Sequence, residues 1–330
     1  MTNSIGFIGL GIMGCPMALN LRRAGFDLAV YARRAESMRP LAEAGARICA
    51  SPAEVARRAD VIFTMVADTP DVEAVILGEN GVIEGARAGA AVVDMSTISP
   101  SVTRVIAERL HERGVDMLDA PVSGGEAGAV NGTLSIMVGG PTTVFERVRP
   151  LLDVMGGNIV HLGDSGAGQI CKACNQILVG ATIAGVAEAL LLAQSAGVDP
   201  AKVRTALLGG FANSRVLEVH GQRMIDGDFS PGFKARLHRK DLRIVTETAQ
   251  ELGLNLPSVD LLAQSLNALV EQGLGELDSS ALYRVLLEMN AQTVRKRPVG
   301  DRQTPGSPVL SEPVNPGQGG VVPISRNVSS

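Results

Sequence analysis

The chain has 330 residues, a formal net charge of −4, 45% hydrophobic and 19% charged residues. These values exclude a globally disordered protein, and the length fits about two domains at roughly 150 residues each. The acidic balance and the aromatic content (seven Phe, two Tyr and no Trp) argue against nucleic-acid binding and give no attraction for an anionic membrane. Four cysteines are too few for a disulfide scaffold in a chain of this length, which favours a reducing, cytoplasmic compartment.

Two apolar stretches superficially resemble membrane segments. Residues 5–21 have no basic residue ahead of them and contain four glycines, unlike a secretory signal. Residues 177–193 contain Glu188 and fall short of the roughly 20 residues that a spanning helix needs. We therefore expect a soluble protein in which the second stretch is a core or interface helix.

The first half of the chain alternates short apolar runs with amphipathic stretches. Runs rich in Val, Ile and Met without polar alternation predict strands buried on both faces, hence a parallel sheet covered by helices. This rhythm predicts a doubly wound α/β domain over residues 1–163. The predicted strands are 5–9, 28–32, 61–66, 90–96, 115–121, 134–140 and 158–163, and helical patterns between them include 53–59, 100–113 and 142–155.

After residue 163 the strand pattern ends. A long, largely apolar helix is predicted over 169–196, and further helices over 200–208, 240–252, 258–272 and 279–296. Residues 164–296 are therefore expected to form an all-α domain. Residues 297–330 are rich in Pro, Gly and Ser, and we expect a disordered tail because they bury too little apolar surface.

A glycine-rich turn follows the first predicted strand. Gly9, Gly11 and Gly14 form a G-x-G-x-x-G pattern that opens a helix, and Ile12 and Met13 complete its first turn. The first glycine permits a tight turn, the second permits approach of a pyrophosphate, and the third permits close helix–strand packing. The helix N-terminus then offers free N–H groups to phosphate. Strand, turn and helix together predict a dinucleotide site.

The end of the second predicted strand bears on the choice of dinucleotide. The acidic residue that would hold the ribose of NAD is absent, and Ala32 is followed by Arg33 and Arg34. Arginine can accept a 2′-phosphate, which favours NADP(H) while leaving NAD(H) possible. Alternatively, both arginines simply begin a solvated helix.

A second turn, Ser123-Gly124-Gly125, comes after the predicted strand 115–121. Such a turn exposes backbone N–H groups at the sheet edge where ligands of α/β proteins bind. Those groups could hold a substrate carboxylate. A purely structural turn explains the same residues equally well.

Lys172 opens the long apolar helix, and Asn175 lies three residues on, so both side chains share one helix face. A lysine among apolar residues loses hydration, which lowers its pKa toward the range useful for proton transfer. From the residues alone, a lysine that reaches from the helix start to water is slightly favoured.

Two further groups are open to more than one interpretation. Cys171 and Cys174 form a C-x-x-C pair, but no second pair completes a zinc site and no thioredoxin-like context surrounds it; we interpret both as small buried helix residues. Lys240 and Asp241 are predicted to begin a helix, where Asp241 suits the helix dipole. Lys240 could reach a carboxylate or a nicotinamide, or form an ordinary surface pair. No histidine spacing predicts a metal.

In combination, four motifs resemble the β-hydroxyacid dehydrogenase family, the group related to 3-hydroxyisobutyrate dehydrogenase. They are FIGLGIMGCPMALNL (7–21), DAPVSGG (119–125), GAGQICKACNQ (166–176) and KDL (240–242). The resemblance covers residues 4–292. It implies an N-terminal Rossmann domain followed by an all-α domain joined by a long helix, and an oxidoreductase that uses NAD(P)H. It is strongest to members that reduce tartronate semialdehyde to D-glycerate.

The family resemblance also implies roles for individual residues. Lys172 would be the general acid and Asn175 would orient the substrate. Ser123, Gly124 and Gly125 would hold the substrate carboxylate. Further contacts to the cofactor are implied for Met65, Val66, Thr97 and Lys240, the last of which would also touch the substrate.

Several alternatives remain open at this stage. Within the enzyme class, the chain could be a 3-hydroxyisobutyrate dehydrogenase or another aldehyde, threonate or imine reductase. From other classes, a non-catalytic Rossmann binding module or a redox protein built on the cysteine pair is possible. The expected partners are a small hydroxy acid or semialdehyde and a second copy of the chain, as homodimer or homotetramer, without nucleic acid, membrane or metal.

Overall fold

The computed structural model describes the backbone of residues 4–295 and the side chains of residues 4–290. The predicted disordered tail, 297–330, lies outside the described residues. Of the described residues, 4–289 belong to one compact unit that contains both the sheet and the helices that follow it. The domain boundary expected at residue 163 therefore stays a prediction.

A single nine-stranded sheet lies at the centre of the N-terminal half. Its first six strands run in the order β3-β2-β1-β4-β5-β6, all parallel, which is the Rossmann arrangement. All seven predicted strands are present, and two strands of two residues each were missed. The strands are β1 Ser4–Ile8, β2 Asp27–Tyr31, β3 Arg47–Ile48, β4 Val61–Thr64, β5 Ala91–Asp94, β6 Asp116–Asp119, β7 Val122–Ser123, β8 Leu134–Gly139 and β9 Gly156–Gly163.

Helices cover both faces of this sheet. β1, β4 and β5 are apolar and buried, and their side chains alternate between two hydrophobic clusters, one on each face. The predicted two-sided burial is therefore confirmed for these central strands. The helices of this half are α1 Gly14–Arg23, α2 Arg39–Glu43, α3 Pro52–Ala56, α4 Thr69–Leu77, α5 Val82–Gly85, α6 Pro100–His111, α7 Gly125–Asn131 and α8 Thr142–Leu152.

The last strands depart from the predicted parallel sheet. β8 pairs antiparallel with β6 and β7, and β9 pairs parallel with β8. Between β6 and β8 the only helix is α7, whose seven residues span about 10 Å, too little to carry the chain back along the sheet for a parallel return. β9 also differs, because its side chains are largely exposed at the sheet edge. Apolar composition carries no strand direction, so the sequence could not predict this.

The second half is helical throughout the described residues, as predicted. Its helices are α9 Ala167–Ser195, α10 Pro200–Leu208, α11 Arg215–Asp226, α12 Ala235–Glu251, α13 Pro257–Leu269 and α14 Leu282–Arg295, with a π turn at Val270–Leu274 and a 3-10 turn at Ser279–Ala281. Two further clusters of buried apolar residues hold these helices together. Among described helices, α9 alone is long and apolar enough to cross a membrane by length and composition, a test that core helices of soluble proteins also pass. It packs on β8, β9, α11 and α12.

One predicted helix start is wrong. Helix α12 begins at Ala235, not at Lys240, and its first turn contains no acidic residue. The buried side chains Ala235, His238, Leu242 and Val245 follow a helical spacing from the true start. The first acid in the segment, Asp241, was taken for an N-terminal signal; it instead lies buried two turns inside the helix.

Candidate active site

The glycine turn after β1 has the geometry that a dinucleotide pyrophosphate requires. Gly9 has a positive φ of 96°, and a side chain there would overlap the carbonyl oxygen of Met65. A side chain at Gly14 would overlap the carbonyl oxygen of Gly9, whereas a side chain at Gly11 would meet open space. The close contacts thus fall on the first and third glycines, and the second leaves room for a ligand.

Helix α1 begins at Gly14 without a side-chain cap at Met13. The N–H of Cys15 donates to the carbonyl of Gly11 at 3.0 Å and Pro16 has no N–H, so among the first three helix residues the N–H of Gly14 is left to bind an anion, which the helix dipole also favours. Ile12 is 53% exposed at the same turn. The open space at Gly11 and the uncapped helix start fit a dinucleotide phosphate group.

The ends of β4 and β5 lie beside this turn. The N–H of Met65 donates to the carbonyl of Ile8 at the end of β1. The N–H of Val66 donates to Ser96 Oγ at 2.9 Å, which ties the β4 end to the β5 end. Thr97 follows directly and is half-buried. The parallel order thus brings the predicted cofactor contacts at Met65, Val66 and Thr97 to one edge of the sheet.

A buried carboxylate, Asp94, joins the ends of β4 and β5 at this edge. Its Oδ1 accepts hydrogen bonds from Thr64 Oγ1 at 2.7 Å and from the N–H of Ser96 at 3.2 Å, while Oδ2 has no partner among the described residues. Burial raises the pKa of Asp94 to about 6, although the hydrogen bonds oppose the rise. Asp119 lies opposite it on β6. No motif in the sequence pointed to Asp94 as part of the site.

Asp119 fixes the start of the long helix α9 to the sheet. Its Oδ1 accepts from the N–H of Gly166 at 2.8 Å and its Oδ2 accepts from the N–H of Gln169 at 2.9 Å. Burial raises the pKa of this carboxyl, and the backbone N–H donors oppose the rise. Gly168 allows the close approach, since a side chain there would overlap the carbonyl oxygen of Met137. A carboxylate thus caps an N-terminus that carries no cap of its own.

Gln169 adds a second attachment. Its side-chain amide donates to the carbonyl of Ser96 at 2.8 Å and accepts from the N–H of Ile98 at 3.2 Å. Helix α9 is therefore held at both the β5 and the β6 ends. We call the sheet edge where Met65, Val66 and Thr97 lie the cofactor edge. Lys172 lies three residues beyond Gln169, so these attachments determine how far Lys172 lies from the cofactor edge.

Lys172 is buried, with only 7% of its surface exposed. The slightly favoured interpretation from the residues alone, a lysine that reaches water, is therefore wrong. Burial lowers the pKa of the Lys172 ammonium, an effect that the charge of Asp241 partly opposes. Within the described part of the chain, no protein acceptor forms a hydrogen bond with this ammonium, which leaves its protons available for a bound molecule.

Lys240 is not the surface charge pair that one interpretation expected. Its ammonium donates to the carbonyl of Thr97 at 2.5 Å and pairs with Asp241 Oδ1 at 2.9 Å, and its side chain is 11% exposed. Asp241 Oδ2 accepts from Gln176 Nε2 at 2.6 Å, and Gln176 Oε1 accepts from Asn175 Nδ2 at 2.7 Å. The helical half thereby contributes α9 and α12 residues to the cofactor edge.

The Ser123-Gly124-Gly125 turn has the backbone that an anion-binding nest needs. Gly124 and Gly125 have positive φ values of 131° and 62°, and both residues are exposed at the start of α7. No hydrogen bond or ion pair joins this turn to Lys172 or Lys240 among residues 4–290. The role of Ser123, Gly124 and Gly125 in substrate binding stays a prediction.

The arginines after β2 are solvent-exposed. Arg33 Nη1 lies 3.5 Å from Asp71 Oδ1 with 85% of its side chain exposed, and Arg34 Nε lies 3.8 Å from Glu36 Oε1. The N–H of Gly9 donates to the carbonyl of Tyr31, so the β2 end lies against the glycine turn. Both sequence interpretations of Arg33 remain open, because a short helix does begin at Ala35.

The cysteine pair differs from the predicted buried residues. Cys171 is half-buried and Cys174 is exposed, and both are free thiols. The interpretation of both as buried helix residues is therefore wrong for Cys174 and holds only in part for Cys171. In the same part of the chain, no group of three or more His, Cys, Asp or Glu side chains is placed to hold a metal ion.

Comparisons with known proteins agree with this architecture. A family model described as the NAD binding domain of 6-phosphogluconate dehydrogenase matches residues 4–163, and one described as NAD-binding of NADP-dependent 3-hydroxyisobutyrate dehydrogenase matches residues 166–286. The chain is 51% identical to 2-hydroxy-3-oxopropionate reductase of Escherichia coli (strain K12), over 86% of this chain and 96% of that protein. It is 38% identical to 2-(hydroxymethyl)glutarate dehydrogenase of Eubacterium barkeri, over 88% and 97%.

Among solved structures, a 3-hydroxyisobutyrate dehydrogenase of Mycobacterium tuberculosis with L-serine superposes with a TM-score of 0.80 at 31% identity, covering 87% of this chain and 99% of that one. Together with the dinucleotide turn, these matches define an NAD(P)-dependent oxidoreductase that acts on hydroxyl groups. The chain belongs to the β-hydroxyacid dehydrogenase family.

Proposed function

We propose that the chain reduces tartronate semialdehyde, a short 2-hydroxy-3-oxo acid, to D-glycerate, with Lys172 as the general acid. The observation that carries the chemistry is the buried Lys172 ammonium, which has no hydrogen-bond partner in the described residues and lies one turn after a helix start fixed to the cofactor edge. The substrate is inferred from the 51% identical 2-hydroxy-3-oxopropionate reductase.

The proposed reaction needs one proton donor and one anion-binding group. The nicotinamide, when bound, supplies the hydride to the aldehyde carbon. Lys172 gives a proton to the carbonyl oxygen as negative charge develops there. Because burial favours the neutral amine, proton release costs less than it would from a lysine in water.

The other predicted residues orient the substrate. The Ser123-Gly124-Gly125 turn would bind the substrate carboxylate through its backbone N–H groups. Asn175, one turn after Lys172 on the same helix, would hold the substrate hydroxyl. Lys240, tied to the carbonyl of Thr97, would adjoin both the nicotinamide and the substrate.

A second candidate function is the oxidation of a related β-hydroxy acid. The Mycobacterium tuberculosis structure contains L-serine, which also carries a carboxylate and a hydroxyl two carbons apart. Lys172 in its neutral form would then accept the hydroxyl proton, by reversal of the same step. The two candidates use the same residues and differ only in substrate.

A substrate panel separates these candidates. Purified protein is assayed with NADPH and NADH against tartronate semialdehyde and succinic and methylmalonic semialdehydes, and with NADP⁺ and NAD⁺ against 3-hydroxyisobutyrate and L-serine. We expect kcat/KM for tartronate semialdehyde to exceed every other value by at least about tenfold. Preferred turnover of 3-hydroxyisobutyrate or L-serine would transfer the function to the second candidate, and no turnover of any compound would contradict both.

We further propose that the enzyme is a cytoplasmic homo-oligomer. Helix α9 presents an exposed seam at alternating spacings of four and three residues, formed by Leu178, Ala181, Gly185 and Leu192 and interrupted by Glu188. Leu178 and Leu192 are 69% and 71% exposed. Such spacing is typical of helix pairs, and small residues in its middle permit close approach. A second copy of the chain is the occupant that would cover it.

A further inference from the structure

The carboxylate of Asp241 connects three groups that the proposed mechanism uses. It is 3% exposed, so its charge lies in the interior of the protein. Its Oδ1 pairs with Lys240 Nζ at 2.9 Å and its Oδ2 accepts from Gln176 Nε2 at 2.6 Å. Each oxygen therefore has a donor from the protein itself, one from α12 and one from α9.

The hydrogen bonds continue on both sides of Asp241. On one side, Gln176 Oε1 accepts from Asn175 Nδ2 at 2.7 Å, which reaches the helix face that also carries Lys172. On the other side, Lys240 Nζ donates to the carbonyl of Thr97 at 2.5 Å, at the end of β5. One chain of hydrogen bonds thus runs from α9 through α12 to the cofactor edge, with Asp241 at its centre.

Charge gives Asp241 a second role. The ionisable groups that face Lys172 are Lys240, Asp241 and His238 from α12, and Cys171 from its own helix. Burial lowers the pKa of His238, which favours the neutral ring, and Lys240 is a like charge. Asp119 is a further buried carboxylate at the start of α9, but its oxygens accept hydrogen bonds from the N–H groups of Gly166 and Gln169. Among these groups, Asp241 is therefore the anion that faces both the buried Lys172 ammonium and the half-buried Lys240 ammonium.

We propose that Asp241 is a positioning residue, which holds Asn175 and Lys240 in place through its two oxygens and provides the counter-charge for Lys172. This inference rests on the proposed catalytic role of Lys172 and deepens it. It makes two separable claims. The hydrogen bond between Asp241 and Gln176, which we call the Gln176 tie, positions Asn175. The carboxylate charge determines the fraction of Lys172 that is protonated.

The charge claim is tested directly on the protein without cofactor or substrate. The chain contains five lysines, so lysine labelled with ¹³C at Cε gives few NMR signals, and loss of one signal in Lys172→Arg assigns Lys172. In Asp241→Asn we expect the Lys172 titration midpoint to fall by about one pH unit or more, because a neighbouring opposite charge shifts a pKa by roughly 1–3 units. Asp241→Glu should restore most of that fall.

Kinetics test the same claim on the alkaline limb of the pH profile in reduction and on the acid limb in oxidation. In reduction, activity falls as pH rises and Lys172 loses its proton, so this alkaline limb should move to lower pH in Asp241→Asn. In oxidation, the acid limb should move to lower pH by the same amount, since the neutral amine is then the active form. Glu247→Gln removes an exposed carboxylate from the same helix α12 and serves as the matched control, with both limbs unchanged.

The positional claim is tested by Gln176→Met, which breaks the tie and keeps the charge. We expect kcat to fall about 10- to 100-fold, with the Lys172 titration midpoint unchanged within about 0.3 pH unit. If Asp241→Asn leaves the Lys172 titration and both pH limbs at wild-type values, the counter-charge role is wrong. If Gln176→Met keeps wild-type kcat, the tie has no positioning role.

These tests use whichever substrate the wild-type protein turns over. Failure of the tartronate semialdehyde assignment therefore leaves them valid, and it is detected separately by the substrate panel. Failure of the Asp241 assignment appears as an unshifted Lys172 titration in a protein with normal wild-type turnover. Circular dichroism and thermal unfolding of each variant exclude loss of the fold. If Asp241→Asn does not fold, Asp241→Ser, which also removes the charge, replaces it in the Lys172 titration, and Gln176→Met still tests the positional claim.

Discussion

At the scale of single residues, the choice between NADPH and NADH depends on the end of strand β2. Ala32 is 8% exposed and offers no carboxylate for a ribose diol, and Arg33 follows it next to the glycine turn. The ion pair of Arg33 with Asp71 is long and exposed, so it holds the guanidinium weakly. A 2′-phosphate would compete for Arg33 at little cost.

We predict a lower KM for NADPH than for NADH in the wild-type enzyme. A charge-assisted contact of this kind contributes about 1.5 to 3 kcal/mol, or roughly one to two orders of magnitude in preference. The double change Ala32→Asp with Arg33→Leu should reverse the order, less completely where Arg34 takes over the phosphate. Arg39→Leu, which removes another exposed arginine of the same segment, should change neither KM.

Steady-state kinetics with both nucleotides decide the point. A wild-type enzyme that favours NADH would contradict this account and leave Arg33 and Arg34 as solvated residues at a helix start.

At the scale of elements, local patterns predicted most of the fold. Apolar runs located every long strand, and the absence of breakers located α9 almost to its ends. The antiparallel return of β8 and the true start of α12 were not predictable, because strand direction depends on partners far along the chain and the start of α12 carries no acidic signal.

For the candidate site too, the sequence predicted the residues that lie in local motifs but not the contacts between distant parts of the chain. Gly9, Gly11, Gly14 and Lys172 belong to contiguous motifs, and the motifs located them. By contrast, the hydrogen bonds of Asp119 to α9 join residues 47 and 50 positions apart, and the bond of Lys240 to Thr97 joins residues 143 apart. No local spacing encodes such pairs. Burial of Lys172 follows from these same long-range contacts, which is why the residues alone slightly favoured an exposed lysine.

The exposed seam of helix α9 gives a prediction about assembly. Changing both Leu178 and Leu192 to Glu should convert the proposed oligomer to a monomer, because burying two carboxylates in a helix pair is far more costly than burying two leucines. Leu261→Glu, at a 66% exposed position of α13, is the matched control and should leave the assembly intact. Light scattering after gel filtration measures the mass. A monomeric wild type, or a double variant with the wild-type mass, would show that the seam is not an interface.

At the scale of the whole molecule, the two halves of the chain contribute different parts of the proposed active site. The sheet supplies the glycine turn and the ends of β4 and β5, and the helical half supplies Lys172 on α9 and Lys240 on α12. Asp119 and Gln169 fix the helical contribution to the sheet edge. Because the proposed proton donor Lys172 and the dinucleotide turn belong to different elements, removal of the Lys172 ammonium should leave nucleotide binding intact.

Single-turnover hydride transfer in Lys172→Ala tests whether Lys172 is the general acid. The transfer is measured as the loss of NADPH absorbance after rapid mixing with substrate. A general acid typically contributes roughly 10² to 10⁴ in rate. We predict a fall of that size, with the dissociation constant for NADPH within about threefold of wild type, and no change in Lys202→Ala, which alters an exposed lysine of α10. Near wild-type hydride transfer in a folded Lys172→Ala enzyme would contradict the account.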